Sequence, residues 1–154
     1  SIARNENKDC FVRALAAGFE IGYNDAHAIA KDRFKREDKK GTKNEYIVSG
    51  MKEIEESGIA IGDVIAKVKV LKGLDIKNRY KLYGELVDRK KTVKSFIKDH
   101  PKGNYIVTVS KHAFALKDGK LIDNKGEEFR PTRKVDGAYE ILLPKDSAQL
   151  SLFS

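Results

Sequence analysis

Lys111-His112-Ala113-Phe114-Ala115-Leu116-Lys117-Asp118-Gly119-Lys120-Leu121-Ile122-Asp123 reads as two short strands joined by a tight turn at Asp118-Gly119. Two apolar runs separated by Asp-Gly are a strong hairpin signal, because both central residues of a type I′ turn need positive φ, which Asp and Gly tolerate. Centring the turn there pairs Lys117 with Lys120, Leu116 with Leu121 and Phe114 with Asp123. His112 then shares a face with Phe114, and Asp123 becomes its diagonal cross-strand neighbour, roughly 7–8 Å away and within side-chain reach. A His held by a carboxylate is half of a catalytic constellation; what it lacks is a nucleophile.

The 154-residue chain contains one cysteine, Cys10. Asp9 can cap a helix running Cys10-Phe11-Val12-Arg13-Ala14-Leu15-Ala16-Ala17 and ending at Gly18, which puts Cys10 in the first helical turn. There the helix dipole and unpaired backbone N–H groups favour a thiolate. The alternative is that Cys10 is a small buried apolar residue under the helix. A single Cys forms no intrachain bridge, which fits a reducing compartment, and a lone thiol with a conspicuous His elsewhere is a candidate nucleophile.

Working outward, a second helix is expected from Asp25 to about Arg36, capped by Asn24, with an apolar stripe of Ala26, Ile29, Ala30 and Phe34. His27 belongs to it, as a structural or exposed residue. Thr42 and Glu45 form a capping box for a third helix to about Ser57, stopped by Gly58. Its inward face is Tyr46, Ile47, Met51 and Ile54. Val64–Val70 is β-branched and favours a strand. Residues 75–91 fit a short helix or an irregular excursion equally well. Thr92 caps a short helix, Val93 to Asp99, ended by His100-Pro101-Lys102-Gly103. Strands follow at Asn104–Val109, in the His112 hairpin, and at Ala138–Leu143 before Pro144. Helices first and an antiparallel sheet afterwards define an α+β fold of two layers, one domain over 1–144, with a flexible tail over 145–154.

No run reaches the length of a membrane span and the first ten residues hold no apolar signal core, so the chain is expected to be soluble and cytoplasmic, with no membrane partner. The net charge of +8 sums 31 basic and 23 acidic residues. They interleave in runs such as KDRFKREDKK, so a solvated charged surface and a nucleic-acid groove both remain open. No metal or cofactor motif is present.

NKDCFVRALA followed by TVKSFIKDHPKGNYIVTVSKHAFALKDGKLIDN resembles the small papain-like cysteine peptidases of phage and bacterial genomes. In these an Asn-Asp-Cys helix start is followed late in the chain by a HPKG turn, a strand and a HA hairpin. The resemblance covers residues 5 to 124, least in the middle third, and is most specific in HAFALKDGKLID. It implies a papain-like fold and a thiol hydrolase, with Cys10 as nucleophile, His112 as its base and Asp123 as the residue that orients the His. Asn124 is the other candidate orienter, but alternation points it to the opposite face. Papain-like enzymes also place a Gln or Asn a few residues before the Cys as a side-chain oxyanion donor. The candidates here are Asn5 and Asn7; there is no Gln, and Lys8 intervenes between Asn7 and Asp9. The resemblance leaves the protein substrate unspecified.

A second resemblance lies in the tail. Gln149-Leu150-Ser151-Leu152-Phe153 is similar at every position to the pentapeptide by which bacterial polymerases and repair proteins bind the DNA sliding clamp. It implies a bacterial or phage origin and a clamp partner, with Leu152 and Phe153 filling an apolar pocket, Leu150 a neighbouring one, and Gln149 bonding at the rim. The alternative is a terminal apolar segment that folds back on its own core.

Overall fold

The computed structural model describes residues 9–37, 41–110, 112–122 and 132–144, with the backbone alone for 76–82 and 86–88. These residues form an α+β fold. Four helices, α1 (Cys10–Phe19), α2 (Tyr23–Phe34), α3 (Asn44–Ser57) and α4 (Val93–Asp99), accompany eight strands among the described residues. The strands are β1 (Ile59–Ile61), β2 (Val64–Val70), β3 (Asp75–Leu82), β4 (Glu85–Lys90), β5 (Asn104–Val109), β6 (His112–Lys117), β7 (Lys120–Ile122) and β8 (Val135–Leu142). Six of them make one sheet in the order β1-β2-β8-β5-β6-β7, antiparallel at every pairing, while β3 and β4 pair only with each other.

The Asp-Gly hairpin forms in the expected register, Lys117 opposite Lys120 and Leu116 opposite Leu121, with Asp118 at φ 50° and Gly119 at φ 80°. Among the described residues both sheet edges are strands of three residues.

Strand alternation divides the core by face. Tyr105, Val107 and Val109 of β5 join Phe114 and Leu116 of β6 on one side, under Val93 and Phe96 of α4. Ile106 and Ala113 face the other way, into the cluster built from Phe11, Val12 and Leu15 of α1, Ala30 and Phe34 of α2, and Met51 and Ile54 of α3. The rings of Phe11 and Phe34 meet edge to face at 4.8 Å, joining α1 to α2. Helices therefore cover both faces, and the expected two layers become three. Helix α4 lies in sequence among the strands, and its position there masks its role as a second cover.

Other differences are local. Helix α1 continues through Gly18 to Phe19 and stops at Glu20, whose φ is 57°. Gly18 is there because the sheet is close: a Cβ on it would lie 2.8 Å from Ile106 Cγ1. Helix α2 starts after Gly22, so Asn24 sits inside it, and it ends at Phe34 with Lys35 at φ 55°. The N-cap of α3 is Lys43, whose side chain makes no cap bond. The capping box of Thr42 and Glu45 is thus not made, and the buried Thr42 hydroxyl has no hydrogen-bond partner among the described residues. Gly58 does stop α3, and Thr92 does cap α4, its hydroxyl accepting from Ser95 N–H at 3.1 Å. Residues 75–90 are neither helix nor irregular but a β-hairpin, turning at Tyr83 (φ 51°) and Gly84 (φ 83°).

Candidate active site

Cys10 is the first residue of α1 and is half-buried against the helix-layer cluster. His112 is the first residue of β6 and is also half-buried. Helix α1 packs along β6, and two contacts fix which ends meet. Asn104 Nδ2 donates to Gly18 O at 2.5 Å, and Lys117 Nζ lies 3.5 Å from Glu20 Oε2. Asn104 and Lys117 are cross-strand partners, so the C-terminal end of α1 sits at the C-terminal end of β6. From Glu20 back to Cys10 the helix spans about 15 Å at 1.5 Å per residue, and from Lys117 back to His112 the strand spans about 17 Å. Cys10 and His112 therefore start two packed elements at the same end of the sheet.

Their faces differ. His112 pairs with Val109, which belongs to the α4-side cluster, and its ring lies 5.8 Å from that of Phe114 in the same cluster. The shared face expected for His112 and Phe114 is therefore present. Ala113, by contrast, faces α1. His112 begins its strand, so it stands at the end of the sheet where α1 starts, on the face that α4 covers.

Around the start of α1 the side chains are densely bonded. Asp9 is the N-cap by backbone position, and its carbonyl accepts Arg13 N–H at 2.9 Å. Its carboxylate makes no cap bond, contrary to the expected role. Instead it is buried, 6% exposed, and takes the Arg13 Nε–H between its two oxygens at 2.9 Å each. It also accepts the Tyr23 hydroxyl at 3.1 Å from α2. The Tyr23 ring lies 6.1 Å from the ring of His27, whose Nε2 is 3.0 Å from Nη1 of the buried Arg36. His27 is thus structural rather than exposed. His100 likewise packs its ring against Phe96 and Tyr105, at 4.6 and 5.5 Å.

Arg13 and Tyr23 did not emerge from the sequence. A signal was available for Arg13, because Asp9 and Arg13 stand four residues apart, the spacing of a helical ion pair; nothing local marks Tyr23. Asp123 and Asn124, the oxyanion candidates Asn5 and Asn7, and the tail motif Gln149, Leu150, Ser151, Leu152 and Phe153 lie outside the described residues. Among the described residues no group of three or more His, Cys, Asp or Glu side chains could hold a metal ion, and no helix is long and apolar enough to cross a membrane.

Comparison of the chain with protein-family models, with curated proteins and with solved structures yields no match.

Proposed function

We propose that the chain is a papain-like thiol hydrolase, a cysteine peptidase by class and of phage or bacterial origin, recruited to the bacterial sliding clamp by Gln149–Phe153. The observation that carries the hydrolase reading is the common end at which α1 and β6 begin, with Cys10 on one and His112 on the other. A thiol at a helix start and an imidazole able to take its proton are the pair that acyl transfer through sulfur needs. His112 takes the Cys10 proton, and the thiolate adds to a substrate carbonyl carbon. The resulting oxyanion is met by the Cys10 N–H and by Asn5 or Asn7. Collapse expels the leaving amine with the proton from His112, and water, deprotonated by the same imidazole, releases the acyl group. Asp123 holds the imidazole tautomer. Clamp recruitment would direct this chemistry to proteins of replication and repair.

An activated acyl ester tests the chemistry without a known substrate. Intact-mass measurement should find one acyl group on Cys10, none in Cys10→Ser, and formation slowed by at least about 100-fold in His112→Ala, the usual scale of general-base assistance. Equal rates in wild type and His112→Ala would reject the hydrolase. Deleting 149–153 should abolish binding to a purified bacterial clamp.

A second reading has its own support. The α4-side face of His112, shared with Phe114, suits a fold relative without catalysis, which would occupy the clamp as an adaptor or replication inhibitor. In that case the tail deletion still abolishes clamp binding while the ester leaves no adduct that depends on His112.

A further inference from the structure

We propose that β2 and the β3–β4 hairpin form a binding surface for single-stranded nucleic acid, in which lysines of β2 hold phosphates and the Tyr83 ring stacks on a base. The proposal stands apart from the thiol chemistry and does not depend on it.

Charge is distributed unevenly along the chain. Residues 67–91 hold nine basic and three acidic residues and so a net charge of +6, against +8 for the whole protein. Two of the nine anchor the root of the hairpin: Lys90 Nζ lies 2.7 Å from Asp136 on β8, and Lys91 Nζ lies 2.6 Å from Asp99 on α4. Lys67, Lys69, Lys72 and Arg89 are exposed and make no ion pair among the described residues.

The fold gathers part of this charge on an open strip of sheet. Ala66 and Val68 turn into the helix-side cluster, so alternation sends Lys67 and Lys69 to the opposite face. That is the face on which α4 covers β5 and β6, but over β2 it is uncovered. Ile65 is 53% exposed, and Leu142, opposite Lys67, is 44% exposed. The acidic residue on this strip is the half-buried Glu140, opposite Lys69. Alternating cationic and apolar side chains offer contacts to phosphates and to sugars and base faces.

From this strip the chain continues through Lys72 into the hairpin, whose strands pair only with each other among the described residues. At its tip Tyr83 is 96% exposed, at φ 51°, followed by Gly84 at φ 83°. Asn or Asp suits the first position of such a turn and Tyr suits it poorly, so the turn gives up local stability to present an aromatic ring. A cationic track for the backbone together with an exposed aromatic on which bases stack is the recurring arrangement of single-strand binding. A duplex keeps its base faces covered, and an acidic protein segment has none, so neither would use the ring.

Fluorescence anisotropy of a labelled oligothymidylate of about 20 nucleotides, longer than one single-strand site, tests this with the full chain over a range of salt concentrations. Lys67→Ala/Lys69→Ala/Lys72→Ala should lower the slope of log affinity against log salt by about 2, from ~0.7 per phosphate contact. Tyr83→Asn suits the turn and should keep or raise thermal stability while weakening binding by about 5- to 100-fold; Tyr83→Phe, which retains the ring, should stay within about twofold of wild type. Lys52→Ala, on the far side of the charge distribution in α3, should change neither slope nor affinity. Absence of binding at low salt, or unchanged affinity in folded Tyr83→Asn, would overturn the proposal. So would equal affinity for a duplex of the same length, which would make the surface a duplex site, or for polyglutamate, which would make it a site for acidic protein.

Discussion

Gly18 and Tyr139 show how single residues hold α1 and the sheet in the arrangement that brings Cys10 and His112 to one end. A methyl group on Gly18 would press on Ile106 Cγ1 and Cδ1 at 2.8 and 2.9 Å, and Ile106 is itself fully buried. Gly18→Ala should therefore destabilise the fold by about 1–3 kcal/mol despite its better helix propensity, as overpacked cores do. Urea unfolding followed by circular dichroism measures it. Tyr139 lies buried in the helix-side cluster, and burial pushes its phenol up to about 12. The sign follows directly: the native state keeps the proton that the unfolded chain loses at its ordinary value near 10. Stability from this group is thus complete below that ordinary value and is lost as the pH rises toward the folded one. The loss should reach about 2–3 kcal/mol, from 1.36 kcal/mol per unit. Tyr139→Phe should flatten this alkaline limb, as measured by denaturant midpoints across that range.

At the scale of elements, two hairpins with similar turns differ in how legible they were. Asp118-Gly119 and Tyr83-Gly84 adopt nearly the same pair of positive φ angles, 50° and 80° against 51° and 83°. Asp before Gly announces such a turn; Tyr is a residue that rarely takes positive φ, so the second hairpin stayed hidden in a stretch of mixed periodicity. The same physics explains other successes and failures. Thr92 capped α4 where expected, because its hydroxyl meets the Ser95 N–H within the turn it starts. Thr42 carried an equally good local signal, yet α3 begins after Lys43 and the Thr42 hydroxyl is buried, a case of tertiary packing overriding a local motif. Thr92→Ala should cost about 1 kcal/mol of stability by thermal or urea unfolding. Lys91 also holds α4: its ammonium, 2.6 Å from Asp99, keeps that carboxyl below its ordinary value.

For the molecule as a whole, the organising feature is a sheet covered on both faces, with β5 buried from Tyr105 to Val109. The β3–β4 hairpin stands outside that sheet. Its ends are brought together by Lys91 N–H donating to Leu74 O at 2.8 Å, so the chain can be closed there without crossing a gap. Replacing 75–90 by a two-residue Asn-Gly turn should leave one cooperative unfolding transition, with a midpoint within about 3 °C of the full chain, the shift that ~1 kcal/mol produces at this size. Broad or split unfolding would show that the hairpin is integral. The face assignments were not legible from sequence, because α4 becomes a second cover only once β5, β6 and β8 are assembled beneath it. The common end of α1 and β6 was foreshadowed by Cys10 and His112 alone; the contacts that fix it, Asn104 to Gly18 and Lys117 to Glu20, join residues 86 and 97 positions apart.

Whether Cys10 and His112 act as one chemical unit is read from the alkylation rate of Cys10 against pH, in wild type and in His112→Ala. A thiol paired with His112 should react with an apparent pKa well below the unperturbed value of about 8.5, and His112→Ala should return it toward that value and slow alkylation at neutral pH by about tenfold or more. A wild-type thiol that titrates at its ordinary value, with a profile that His112→Ala leaves unchanged, would contradict the pairing.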